Sequence, residues 1–176
     1  MSDLSKLTSR DLLDAIGTRC VTKITLAINA AGAATVKSTG AIIYTIGGVF
    51  YTAAALANKA ITVTHRADGS AVTAEDAAYV QPAETTAVYV LALNAAGTLA
   101  VVQGSYAGQS ITFSADKSKV ITGTGAAPSL PAGYCPIGAI KVKTAAGTTF
   151  TPATTALDAA GLTVTFTDLS QLPLAL

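Results

Sequence analysis

The chain has 176 residues, of which 51% are hydrophobic and only 12% charged, and its formal net charge is +1. That length suits one domain with a core of its own rather than two, and the low charge, against an ordinary share of about 25%, leaves extensive neutral surface. Without a run of Lys and Arg there is no field to attract nucleic acid or an acidic membrane, whereas a neutral surface of Ala, Thr and Gly favours association with copies of the chain or with a larger assembly.

The first segment is the one helical pattern. Leu4, Leu7, Leu12, Leu13 and Ile16 fall near helical spacing, Ser9 can cap a helix carrying Asp11 in its first turn, and Gly17 stands where such a helix would stop. The spacing predicts a short amphipathic arm over 1–17 ahead of a single domain over 18–176. Its acidic residues interrupt any continuous apolar run, so it does not read as a secretory signal, and synthesis in a cytoplasm is expected. The arm either folds back to cap one end of the domain or grips a partner.

Beyond it the chain spells one phrase four times: NAAG at 29–32 and 94–97, TAAG at 144–147 and DAAG at 158–161. A leading residue that can accept a hydrogen bond, two Ala tolerant of right-handed backbone, and a Gly able to take positive φ together suit a type I turn with a G1 bulge. Apolar alternation flanks these turns, with Ile24, Leu26 and Ile28 before the first. Val88, Val90 and Ala92 alternate with Tyr89, Leu91 and Leu93 before the second, and Ile140 and Val142 precede the third. Val36, Leu99, Val101, Phe150 and Val164 resume it as further strands. Gly47-Gly48 predicts a two-residue primed turn, and RADGS at 66–70 another turn. The turn glycines Gly32, Gly48, Gly97, Gly147 and Gly161 are accordingly structural.

Three further segments complete the pass. TAEDAAYVQPAE at 73–84 can hold a helical turn ended by Pro82, and GTGAAPSLPAG at 123–133 is linker-like. Two stretches without charge, 38–58 and 85–115, contain Gly, Asn and Gln that a lipid-facing helix would bury at considerable cost, so no membrane span is expected. The fold class is all-β, an antiparallel β-sandwich or jelly-roll-like barrel with a short helical N-terminal arm.

Chemistry is sparse. His65 is the single histidine, at a strand end with no nucleophile elbow anywhere in the chain. Cys20 and Cys135 form no metal-binding spacing and read as buried free thiols, with a disulfide left open. Adjacent Glu75 and Asp76 would point apart on a strand or a helix, and no phosphate loop, dinucleotide fingerprint or zinc spacing occurs. No catalytic residue, metal site or cofactor is expected. With aromatics at 6% and no Trp, a sugar-stacking platform is disfavoured, and Tyr44, Phe50 and Tyr51 are expected to pack across strands.

The stretch LPAGYCPIGAIKVKTAAGTTFTPATTALDAAGLTVTFTDLSQLP at 130–173, with GAIIYTIGGVFYTAAA at 40–55, resembles segments of virion structural proteins of tailed bacteriophages. There an LPAG(Y)xPIGxIKV strand, a TFTPxTTALDAAG loop and a closing TxxFxDLSxLP follow one another. The resemblance covers the final third closely and the middle loosely, and it does not reach the segment before Gly17. It implies a non-enzymatic component located in the virion, of the head-decoration (cement), head-fibre or tail-associated kind. The leading expectation is a capsid decoration protein, present in many copies as a homo-oligomer, with a trimer among the orders considered. Its partners would be itself and the major capsid protein or another virion protein, with neither nucleic acid nor membrane. The alternatives are a tail, neck or fibre-attachment component and, in a different class, a virion-associated polysaccharide hydrolase. The apolar residues of the arm, Leu4, Leu7, Leu12, Leu13 and Ile16, are the candidate partner-binding set.

Overall fold

Period-two alternation needs strands, and strands are what the chain forms. In a computed structural model, which describes residues 17–73, 80–104, 107–108 and 128–170, every regular element is β. The strands are β1 (Arg19–Cys20), β2 (Ala27–Ile28), β3 (Thr35–Lys37), β4 (Ile42–Ile46), β5 (Val49–Ala53), β6 (Lys59–Ala60), β7 (Thr85–Asn94), β8 (Leu99–Gln103), β9 (Ala107–Gly108), β10 (Tyr134–Thr144) and β11 (Leu162–Asp168). They make three antiparallel sheets, ordered β1-β4-β5, β2-β3-β6 and β11-β10-β7-β8, with β9 continuing the outer edge of β7. This all-β arrangement is consistent with a β-sandwich. Of the predicted helical arm over 1–17 only Gly17 is described, and of the segment 73–84, expected to hold a helical turn, residues 74–79 lie outside the described residues while Gln81 makes a β-bridge to Phe150 rather than a helical turn.

The largest sheet carries the core. Its central strands β7 and β10 run in register from Tyr134 opposite Asn94 to Lys143 opposite Thr86. From Tyr89 to Leu93 strand β7 is buried on both faces, which is why its sequence is almost continuously apolar there. Strand β10 alternates instead, burying Ile140, Val142 and Thr144 while Lys141 and Lys143 stay exposed. The apolar faces of the three sheets meet in one cluster built around Tyr44, Tyr89, Phe150, Ile24, Ile137 and Leu91, all nearly inaccessible to solvent.

A proline inside a central strand needs an explanation, because it cannot donate to the ladder. Pro136 stands opposite Ala92 and Gly138 opposite Leu91, so Ile137 is the extra residue of a bulge. Gly138 is small for a packing reason: a Cβ there would come within 3.1 Å of Leu26 Cδ2 and 3.2 Å of Ile24 Cδ1. The PIG triplet thus bends β10 and admits the segment carrying Ile24 and Leu26 onto the sheet.

The turn expectations hold unevenly. At 94–97 the turn forms as expected: the Gly97 amide donates to Asn94 O at 2.9 Å, and Asn94 Oδ1 accepts from the amides of Ala96 and Thr98 at 3.0 and 2.9 Å. Gly47 and Gly48, at φ 55° and 80°, make the primed turn between β4 and β5. The 66–70 turn closes through Arg66 N to Ser70 O at 2.8 Å, and Asp68 accepts from Ser70. NAAG at 29–32 joins β2 to β3, but TAAG and DAAG do not each make a hairpin. They bracket one long connection over 145–161, and Phe150, expected in a strand, makes only an isolated bridge to Gln81 there. The reason lies in the leading side chains. Thr144 Oγ1 turns into the core, donating to Pro82 O at 2.7 Å, while the Asp158 carboxylate reaches across to the amide of Gly32, at 2.9 Å from Oδ2. One phrase thereby ties down another 126 residues away.

Candidate interaction surface

Titratable chemistry is dispersed rather than assembled. His65 Nδ1 lies 2.9 Å from Thr64 Oγ1, and its ring meets Tyr134 edge-on at 5.5 Å. Both thiols are buried and free. Cys20 donates to Thr22 O at 3.2 Å and Cys135 to Pro136 O at 3.6 Å. Burial pushes Cys20 up to about 11 and Cys135 up to about 12, so neither is a nucleophile near neutrality. Among the described residues no group of His, Cys, Asp and Glu could hold a metal ion, and no helix is long and apolar enough to cross a membrane. Glu75 and Asp76 lie outside the described residues.

A groove of about 570 Å³ runs between 53–64 and the start of β8, lined by Ala53, Leu56, Lys59, Thr62, Thr64 and Leu99 among others. Its walls are small side chains with one cation, without the convergent polar groups that fix a small ligand.

The outer face of the β1-β4-β5 sheet is different. The register sets Arg19 opposite Thr45 and Thr45 opposite Phe50, so these three share a row on one face, with Ile43 and Thr52 in the next. Phe50 is 60% exposed, Val49 at the hairpin tip 55% and Ile43 41%. Phe50 was expected to pack with Tyr44 and Tyr51, but those two stack with each other at 5.7 Å on the opposite, core-facing side. Strand parity separates it from them: positions 44 and 51 are cross-strand partners and 50 pairs with 45. Within the same outer row, Arg19 Nε is buried with no hydrogen-bond partner among the described residues.

This face adjoins the place where the N-terminal segment joins. Gly17 O accepts from the amide of Gly48 at 3.0 Å, and Thr18 Oγ1 accepts from Gly47 at 3.1 Å. The chain preceding residue 17 therefore leaves at the tip of the β4-β5 hairpin, and Gly17 itself has φ 58°, a conformation suited to the residue after a helix end. Leu4, Leu7, Leu12, Leu13 and Ile16 lie outside the described residues. The turn glycines Gly32, Gly48, Gly97, Gly147 and Gly161 all have positive φ. The exposed face itself could not be read from the sequence, since alternation marks two faces of a hairpin without saying which one the core takes.

No family model, curated protein or solved structure matches the chain.

Proposed function

We propose that the chain is a non-enzymatic structural component of a tailed-bacteriophage virion, and specifically a capsid decoration protein that binds the head shell in many copies and stabilises it. The observation that carries the reading is the exposure of Ile43 and Phe50 on the outer face of the β4-β5 hairpin, and of Val49 at its tip, beside the point where the Leu-rich segment 1–16 joins. A patch of that kind on a chain with so little charge suits a protein partner.

The sequence motifs support the same reading from another side. The PIG bulge, the 145–161 connection and β11 are the stretches that resemble virion proteins, and each has a structural role in this fold. Repetition over a shell lattice would then multiply weak contacts into firm attachment.

The test is co-sedimentation with phage heads that lack the protein. Deleting 1–16, or changing Phe50→Ser, should abolish binding while the far-ultraviolet spectrum of the β-domain is retained. Binding by both variants at the level of the parent would rule out this surface as the attachment side.

A further inference from the structure

We propose that the outer edge of β11 is a self-association interface, along which two copies pair antiparallel about a two-fold axis to make one continuous sheet. This deepens the oligomeric part of the reading above, yet it stands on the chemistry of the edge and does not require a virion.

Among the described residues β11 lies at the end of its sheet and pairs only with β10, so alternate residues of this seven-residue strand present backbone groups along its other side. Edges of that length are ordinarily protected by Lys, Pro, a bulge or a covering segment. β11 has none of the first three: its sequence is LTVTFTD, and its ladder with β10 is uninterrupted from Gly138 opposite Asp168 to Thr144 opposite Leu162. Its single charge is turned inward, because the Asp168 carboxylate accepts from the amides of Ile24 and Thr25 at 2.9 and 3.2 Å.

Gly108, which pairs with Thr85, and Ser129, which donates to Ala67 O, both lie on the β8 side of the sheet. The segment before Gly17 joins at the β4-β5 tip.

The side chains specify what kind of strand fits. Leu162, Val164 and Phe166 face the core yet remain only partly buried, whereas Thr163, Thr165 and Thr167 are exposed. An antiparallel copy related by an axis through Val164 or Thr165 sets apolar residues against apolar ones, with Leu162 against Asp168 at the margin of the second register. It sets threonines against threonines in both. The edge is therefore complementary to itself, as an isologous interface requires, and the second copy completes the half-covered apolar row. Main-chain pairing supplies the remainder of the affinity, as in other strand-addition complexes.

The test uses the full chain and a double variant, Thr163→Glu with Thr165→Glu. Within one copy the new carboxylates stand opposite Lys143 and Lys141, which favours the fold. Across an axis at Val164 both stand opposite a carboxylate, 163 facing 165, and across an axis at Thr165 the carboxylate at 165 faces its own copy; like charges oppose pairing in both. Sedimentation equilibrium from micromolar concentration upward should give twice the 17.5 kDa chain mass for the parent and for Thr163→Ser with Thr165→Ser, and the single chain mass for the Glu variant with its thermal midpoint retained. A parent that is monomeric or trimeric, or a Glu variant that remains dimeric, would overturn the proposal. Heads that fail to bind a dimeric parent would count against the decoration reading alone.

Discussion

Gln81 shows how much of this fold rests on single side chains that local pattern does not reveal. It is fully buried, its Nε2 donates to Thr85 O and Val142 O at 3.2 and 3.0 Å, and its Oε1 accepts from the Tyr89 hydroxyl at 3.0 Å. Gln81→Leu removes three hydrogen bonds from a site closed to water and should cost about 1–3 kcal/mol in denaturant unfolding; an unchanged midpoint would contradict the role. The glycines offer a sharper comparison. Gly147 and Gly161 both have positive φ, but a Cβ on Gly147 meets open space while one on Gly161 runs into the Thr148 side chain. Gly147→Ala should cost about 1–2 kcal/mol from backbone strain alone, and Gly161→Ala distinctly more. The thiols make a pH prediction. Near neutrality folded and unfolded chains both hold these protons, but above about pH 9 the unfolded thiols ionise while the buried ones, at about 11 and about 12, do not. The unfolded state then binds fewer protons, so stability falls as pH rises from about 9 through the folded values, by about 1.4 kcal/mol per pH unit for each thiol. Unfolding midpoints measured against pH should decline less steeply in Cys20→Ala/Cys135→Ala than in the parent.

At the scale of elements, legibility followed distance along the chain. The Asn94 turn and the Gly47-Gly48 hairpin were readable because their partners lie within a few residues. The Asp158 bond to Gly32 was not, since nothing local distinguishes a side chain that ties its own turn from one that ties another. Likewise TAAG looked like a hairpin until the fold drew Thr144 inward to Pro82 and Thr85. In the large sheet β10 and β11 were visible as alternation and β7 as a nearly continuous apolar run, whereas the two-residue strands β1, β2 and β6 are too short to show a period. The outer hairpin face carries a prediction of its own scale: Phe50→Ser should leave stability within about 0.5 kcal/mol of the parent, as for an exposed position away from the core. A large loss of stability would mean that Phe50 is covered and is not a contact surface.

At the scale of the whole molecule, the proposed assembly role draws on three features: a low charge, apolar exposure on the β4-β5 hairpin beside Gly17, and a strand edge at the end of the large sheet that has no partner among the described residues. The first was plain in the composition. The other two depend on which strands end up at an edge, and strand order is set by long-range pairing such as β7 with β10. In the proposed arrangement the hairpin face and arm meet the shell, and β11 joins neighbouring copies. The most direct test is the copy number of the protein in purified virions, by quantitative mass spectrometry against the major capsid protein. A ratio near one, or a simple fraction of it, is the result expected for a decoration protein. A ratio of only a few copies per virion would place the protein at the tail or neck, and absence from virions would contradict the account.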